Sequence, residues 1–403
     1  MATPLTLADL VAPLEVSQFL GSVQGQAHHR FPGAAGRFAS LMPWSTLNTV
    51  LRQHRLDFPR LRLAQDGEVV PTHSYTEMVT PKRGAPIPKL LAAPLTEHLR
   101  GGATLVLDAV QELVDPVAEL TARLEHDLRE RIQVNLYAGW GKTHGFDVHW
   151  DDHDAFILQI FGRKRWRIHG ATRPSPLHRD VEPPPQPPAE PIADFMLEDG
   201  DALYVPRGHW HDVSAVGEQS LHLTIGFNPA TGIDLVAWLA DQLRVDERFR
   251  RDLPRFAPAE LRQAHAAELR SGIEALLTPD VVDRFLTDRD AHGPALTRIG
   301  LPWAATSDLL PDEDDTEVRL LTPRAVLEFG GAAAGENRGT VTLLASGSRF
   351  TFAGVAEPVL SALVMGTIVT VGEVVALAAP ALDRATVRAL LGELITQGLL
   401  AVG

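Results

Sequence analysis

Between Ile132 and Gly226 the chain breaks into short apolar runs: QVNLYAG, HWDDHDAFILQIF, KRWRIHG, GDALYVPRG and QSLHLTIGF. Short strands separated by turns at this spacing fold into a small antiparallel sandwich or barrel. The texture on either side differs. Upstream, Asp115-Pro116 puts a proline in the first turn of a helix, and Val117, Leu120, Leu124 and Leu128 follow at helical spacing. The stretch before about Gly102 mixes short helical patterns with loops and is expected to be a supporting layer. Downstream of Pro229, Leu235 to Leu243, Ala259 to Leu277 and Asp280 to Asp288 read as helices. From about Asp312 strand-like segments return (VRLLTP, GTVTLLAS, SRFTFAG), then three short helical patterns, the last running from an Asp383 N-cap to Gly398.

The expected class is therefore α+β with a mainly β core. At 403 residues the chain is long for a single core. The predicted division is 1–228 for the strand-rich domain with its support, 229–311 for a helical module and 312–403 for a closing domain. Within the first, the Pro-rich VEPPPQPPAEP is expected to run as an extended surface loop. The acidic run Asp312 to Asp315 reads as a solvated linker.

Cysteine is absent, which excludes disulfides, thiolate metal sites and thiol nucleophiles. Any bound metal must be held by His, carboxylate or water. A formal charge of -14 argues against a surface that neutralises many phosphates. The last helical pattern sets Asp383 and Glu393 against Arg384 and Arg388, again without the basic excess that nucleic acid requires. No stretch approaches the ~20 apolar residues that span a bilayer. The start, MATPLTLADLVAP, lacks the pattern of a secretory leader, so a cytoplasmic location is expected.

The chemistry is concentrated in HGFDVHWDDHDAFILQIFGRKRWRIHG. Residues two apart on a strand share a face, so His149 and Asp151 offer an imidazole and a carboxylate to one ion. A third ligand is available downstream in LEDGDALYVPRGHWHDV, at His209 or His211, on a loop expected just after the strand ALYVP. Two His and one carboxylate on one face of an octahedron leave cis positions open, as in non-haem Fe(II) oxygenases. Gly162-Arg163 reads as a two-residue hairpin loop that pairs Phe161 with Lys164. Counting by twos from there puts Asp151, His149, Lys164 and Trp166 on one side, provided no bulge falls near Asp152 or His153. A cation inside an apolar barrel needs an anion, and a dicarboxylate co-substrate would supply it. Trp166, Phe156, Leu158 and Ile160 read as core, and His144, His153 and His169 as solvated or locally bonded.

The runs N-L-Y (Asn135 to Tyr137), His149 to Ile168 and G-D-A-L-Y-V-P-R-G-H-W-H (Gly200 to His211) resemble the JmjC-type ribosomal oxygenases, cupin-fold protein hydroxylases dependent on Fe(II) and 2-oxoglutarate. The resemblance implies a double-stranded β-helix, followed by a helical dimerisation module and a winged-helix-like domain. It implies His149, Asp151 and His211 as metal ligands, and Lys164 as partner of the far carboxylate of 2-oxoglutarate. Asn135, Tyr137, His222 and Thr224 fall on strand positions that line the same pocket in the family. By the same resemblance Leu235, Trp238, Leu239 and Leu243 form the homodimer stripe. Trp210 stands before the distal His where the family often has Pro or a smaller residue, and Trp150 stands where Tyr is more usual. Both are expected near the point of substrate entry.

The function implied is hydroxylation of an Arg or His side chain in a protein or peptide, a ribosomal protein among the candidates. It consumes O2 and 2-oxoglutarate and releases succinate and CO2. Two other readings keep the same site: a small-molecule 2-oxoglutarate oxygenase and a catalytically silent cupin binding protein.

Overall fold

The computed structural model describes residues 5–141, 146–177, 186–306, 309–331 and 339–403. His144 and much of the Pro-rich run lie outside them. Packing divides the chain into two compact units, Met1–Pro229 and Ala230–Gly403. The first boundary lies beside the one expected at 228, and residues 230–403, which hold the expected helical and closing stretches, make up the second unit.

In the first unit the helices are α1 (Leu7–Val11), α2 (Val16–Ser22), α3 (Trp44–Gln53), α4 (Ala92–Arg100) and α5 (Asp115–Leu128). The strands are β1 (His29–Phe31), β2 (Leu61–Gln65), β3 (Glu68–Val69), β4 (Thr76–Val79), β5 (Ile87–Leu90), β6 (Thr104–Leu107) and β7 (Ile132–Gly139). They continue with β8 (Asp154–Phe161), β9 (Lys164–Ala171), β10 (Ala193–Leu197), β11 (Ala202–Val205), β12 (His209–Ala215) and β13 (Ser220–Phe227). An eight-stranded sheet runs β1-β11-β8-β13-β7-β6-β2-β3, and a three-stranded sheet runs β10-β9-β12. The early segments therefore do more than support the core, because β1, β2, β3 and β6 extend its main sheet.

β8 is apolar nearly throughout because both of its faces are covered. Phe156, Leu158 and Ile160 pack with Leu120 and Leu124 of α5 in the core behind the large sheet. Ala155 and Ile157 face the other way and join Leu203 and Val205 against Trp166, Ile168 and Leu197 of the small sheet. That second cluster closes the two sheets on one another at one end. Ala155, Ile157, Trp166 and Val205 of that cluster also border a cavity, whose lining continues on β7, β13, β9 and β12. Each fully buried Leu, Ile or Phe here stabilises the fold by roughly 1.5–3 kcal/mol.

The expected hairpin at Gly162 and Arg163 is corrected. β8 pairs with β11 and β13, and β9 pairs with β10 and β12, so the link turns a corner from one sheet into the other. Gly162 sits there at φ +64, and a Cβ on it would lie 2.1 Å from the Gln219 carbonyl oxygen. Only glycine makes that corner without strain. A second correction concerns His209 and His211, which lie on a strand, β12, and not on a loop.

In the second unit the helices α6 (Gly232–Leu243), α7 (Glu247–Arg250), α8 (Ala259–Leu276) and α9 (Val281–Ala291) come first. Strands β14 (Glu317–Leu320), β15 (Val326–Phe329), β16 (Thr340–Ala345) and β17 (Ser348–Ala353) follow, then α10 (Glu357–Val364), β18 (Val369–Thr370), α11 (Val371–Ala378), α12 (Arg384–Thr396) and β19 (Leu400–Val402). α12 is capped by the Asp383 carboxylate, which accepts from the Thr386 N–H at 2.8 Å, and Gly398 at φ +69 ends it. The Asp312 to Asp315 run is more than a solvated linker. Arg384 pairs with Asp312 and Asp314, and Arg388 donates to the carbonyls of Leu310 and Pro311. Of the expected apolar stripe on α6, Leu239 is buried and Trp238 packs on Phe285 of α9 while its indole N–H donates to Asp288 at 2.8 Å. Leu235 and Leu243 of the same stripe are half-buried, and the large apolar residues α6 leaves exposed are Ile233 and Val236. No helix of the described residues is long and apolar enough to cross a membrane.

Candidate metal centre

The cavity between the sheets measures about 120 Å3. Its floor follows from register. On β7 and β13, Tyr137 lies opposite His222 and Asn135 opposite Thr224, while β8 sets Ile157 beside Thr224. Alternation turns these side chains to one face, and all five line the cavity. The small sheet contributes Lys164 and Trp166 from β9 and His211 from β12. The eight residues expected at the site thus border one space.

His149, Asp151 and His211 bring one ligand atom each to within 4.8 Å of one another, and His211 Nε2 lies 3.6 Å from Asp151 Oδ2. The segment carrying His149 is not part of β8. It bends at Asp152 and His153, where a break in the alternation was anticipated, and pairs instead with β12 through a bridge between His149 and His211. The backbone bonds are His149 N–H to His211 O at 3.1 Å and His211 N–H to His149 O at 2.8 Å. A bulge between Trp210 and His211 shifts the pairing with β9, and bulges of this kind re-aim side chains beside functional sites. Between the two downstream candidates, His211 is the one that joins His149 and Asp151.

The donor set fits a divalent transition metal. His149 Nδ1 lies 2.7 Å from the Asp147 carbonyl oxygen, and His211 Nδ1 lies 3.1 Å from that of His209. A carbonyl only accepts, so each Nδ1 carries the proton and donates it, leaving Nε2 as the free lone pair. Burial lowers the pKa of His211 against the opposing charge of Asp151, which favours the neutral ring a metal requires. His209, pushed down to about 4 by burial and by His28 and His211, is a neutral wall residue.

Lys164 is 6% exposed, and burial alone pushes its pKa down to about 8, with no acidic side chain of the described residues offsetting it. His222 is held well below its ordinary value by burial and then by Lys164. Tyr137 stacks on His222 with ring centroids 5.0 Å apart, and burial, then the charge of Asp151, push the phenol up to about 12. Asn135 accepts the Ala109 N–H at 3.2 Å through its side-chain oxygen. The far end of the cavity is thus a neutral polar wall around one ammonium.

Four residues depart from their expected places or add to them. Trp166, read as core, also lines the cavity and stacks on His211 at 5.7 Å between centroids. His153 bonds locally to Asp152 at 3.3 Å, as expected, and lines the cavity as well. Trp210 is buried on the other face of β12, where its indole N–H donates to Thr172 at 2.7 Å, so it does not border the entry, and neither does Trp150.

Residues 112–235 match the model of the JmjC domain. The chain is 28% identical over 223 residues to the bifunctional lysine-specific demethylase and histidyl-hydroxylase NO66 of Drosophila persimilis, covering 55% of this chain and 31% of that protein. It is 30% identical over 207 residues to ribosomal oxygenase 2 of Rattus norvegicus, covering 46% and 44%. The chain thus spans less than half the length of these curated relatives. Among solved structures, Escherichia coli YcfD aligns at 19% identity with a TM-score of 0.59, over 97% of this chain and 98% of that one. The same ribosomal oxygenase in complex with cobalt and 2-oxoglutarate aligns with a TM-score of 0.57 at 19% identity. Likeness at that identity speaks to the fold. By sequence, residues 112–235 match a JmjC domain and the chain is similar to ribosomal oxygenases over about half its length, and by architecture it has a cupin-like fold.

Proposed function

We propose that the chain is an Fe(II)- and 2-oxoglutarate-dependent oxygenase that hydroxylates a side chain of a protein or peptide. The observation that carries this reading is a 2-His-1-carboxylate cluster with a buried, unpaired ammonium in the same cavity. Bound at His149, Asp151 and His211, iron with 2-oxoglutarate and O2 supplies the oxidising power to hydroxylate an unactivated C–H bond. The chain's own part is binding and exclusion of water. Lys164 pairs with the far carboxylate of the co-substrate, which removes the cost of its burial. Tyr137 and His222 wall that end with neutral groups, and Trp166 stacks on His211 to fix the ring.

Charge favours a neutral target such as an imidazole. Among the described lining residues the sole carboxylate is Asp151, which is committed to the metal. A guanidinium or a methylated ammonium entering beside Lys164 would meet no counter-ion. The relatives from Drosophila are named both lysine-specific demethylase and histidyl-hydroxylase, and the charge of the cavity favours the second of these activities. The test is to incubate the enzyme with Fe(II), 2-oxoglutarate and matched peptides that differ only in a central His or Arg, then map any added oxygen by mass spectrometry. Oxygen on the His peptide supports the reading. Oxygen on Arg alone overturns the choice of target, and succinate formation stimulated by neither peptide overturns the peptide class.

The helices α10, α11 and α12 with the small sheet β18-β14-β19 support a winged-helix-like arrangement for 312–403. The exposed Ile233 and Val236 on α6 support pairing with a second copy of the chain through the helical stretch.

A further inference from the structure

We infer that Asp154 is a positioning residue that sets the distance between the two chain segments carrying the metal ligands. The inference rests on the metal-site reading above. Asp151 and His211 come from segments 60 residues apart in the chain, and three contacts lace them together. The first is the reciprocal backbone pair of His149 and His211. The second is the Gly208 N–H, which donates to the Asp151 carbonyl at 2.8 Å. The third is made by a side chain: Asp154 Oδ1 accepts the Arg207 N–H at 3.0 Å.

Pro206 to His209 form a turn, closed by the His209 N–H to the Pro206 carbonyl at 3.3 Å, with Gly208 at φ +80 in its third position. In such a turn the N–H of the second residue has no partner of its own. Asp154 supplies that partner from the first residue of β8, three positions after Asp151. The carboxylate is itself held, since its Oδ2 accepts from the Tyr204 hydroxyl at 2.5 Å and that oxygen accepts the Gly25 N–H at 2.7 Å. Asp154 is 1% exposed. Burying a carboxylate is costly even when it is hydrogen-bonded, and replacing it together with its buried partner by apolar groups of their shape can serve stability as well. An apolar residue would not hold the turn. What the carboxylate adds is a fixed acceptor that ties the His211 strand to the Asp151 segment.

The test is Co(II) binding to chelator-treated full-length protein, followed by titration and by the visible spectrum of the bound ion, beside a melting curve for each variant. Outer-shell partners of metal ligands are worth about 10- to 100-fold in affinity, so Asp154→Ala should weaken Co(II) binding by about tenfold or more and alter the spectrum. Asp154→Asn keeps an oxygen for the Arg207 N–H and should bind within about threefold of wild type. Tyr204→Phe leaves that hydrogen bond intact, and should lower the melting temperature while holding Co(II) within about threefold. Should Asp154→Ala not fold, Asp154→Leu combined with Tyr204→Phe, which buries no unpaired hydroxyl, is measured in its place. Unchanged Co(II) affinity in the folded variant that lacks the carboxylate overturns the inference, as does a loss that tracks the melting temperature equally in Tyr204→Phe. Failure of the wild type to bind Co(II), or equal binding by His211→Ala, overturns the metal reading itself and is distinct from either.

Discussion

His149 and His211 face each other with ring centroids 4.4 Å apart, and the backbones beneath them exchange hydrogen bonds in both directions. The dyad is therefore a product of strand pairing, and the imidazoles are not needed to form it. Removing one ring should empty the site of metal and leave the scaffold standing. His211→Ala and Asp151→Ala are expected to reduce succinate formation to background while far-ultraviolet circular dichroism stays that of the wild type. A variant that loses its strand signal, or one that keeps turning over, contradicts this separation of scaffold and ligand.

Lys164 makes function and stability pull in opposite directions. With its pKa lowered to about 8 by burial, the folded ligand-free protein gives up this proton while the unfolded chain retains it up to the ordinary 10.5. The unfolded state then binds more protons across that window, so this residue's contribution makes stability rise between about pH 8 and 10.5. Lys164→Met should lack that slope and melt higher than wild type at pH 7 without ligand. It should also lose 2-oxoglutarate, because removing one partner of a buried charge pair costs about 2–5 kcal/mol, roughly 300-fold in affinity at mid-range. In the wild type, 2-oxoglutarate binding should weaken as pH rises through about 8, and in Lys164→Arg it should not. Calorimetric titration at pH 7 and pH 9 decides this, and an unchanged wild-type affinity counts against the pairing.

Much of this site was legible in the residues. The two-residue step from His149 to Asp151 and the apolar run behind it needed only strand alternation. The choice between His209 and His211 did not follow, because they share parity and the bulge that sorts them has no mark in the letters HWH. Lys164 was placed on the correct side through a connection that does not exist. A two-residue Gly-Arg link is compatible with a hairpin or with a corner between sheets, and only the partners of β8 and β9 decide. β12 was missed because HWHDVSA is polar, and β6 and β2 because their pairing is with strands far along the chain. Trp166 belongs both to the core cluster and to the cavity wall, so its core assignment was incomplete.

The corner itself is testable. Gly162 has φ +64 and a backbone oxygen 2.1 Å from where a Cβ would stand, whereas Gly36 has φ +82 and open space around it. Both alanine variants incur the left-handed conformation, about 1–2 kcal/mol, but only Gly162→Ala must also move the Gln219 carbonyl. Gly162→Ala should therefore melt well below Gly36→Ala. Because Lys164 follows two residues later, it should also bind 2-oxoglutarate more weakly. Equal melting temperatures would mean that the corner yields without cost.

The last prediction separates the inner and outer faces of α6. Leu239 is 6% exposed, whereas Ile233 and Val236 are 56% and 57% exposed. Truncating a buried Leu costs about 2–5 kcal/mol through lost transfer energy and a residual cavity, so Leu239→Ala should lower the melting temperature and leave the oligomer as it was. Val236→Asp puts a charge on the outer face, where a monomer would tolerate it in water. In a dimer sealed by that face the carboxylate would be buried without a partner, and the pair would come apart. Light scattering coupled to size exclusion should give a dimer for the wild type and for Leu239→Ala at concentrations where Leu239→Ala stays folded, and a folded monomer for Val236→Asp, whose melting temperature falls only by the stabilisation that pairing supplies. A monomeric wild type, or a Val236→Asp variant that stays paired, would leave these two side chains as ordinary exposed apolar residues.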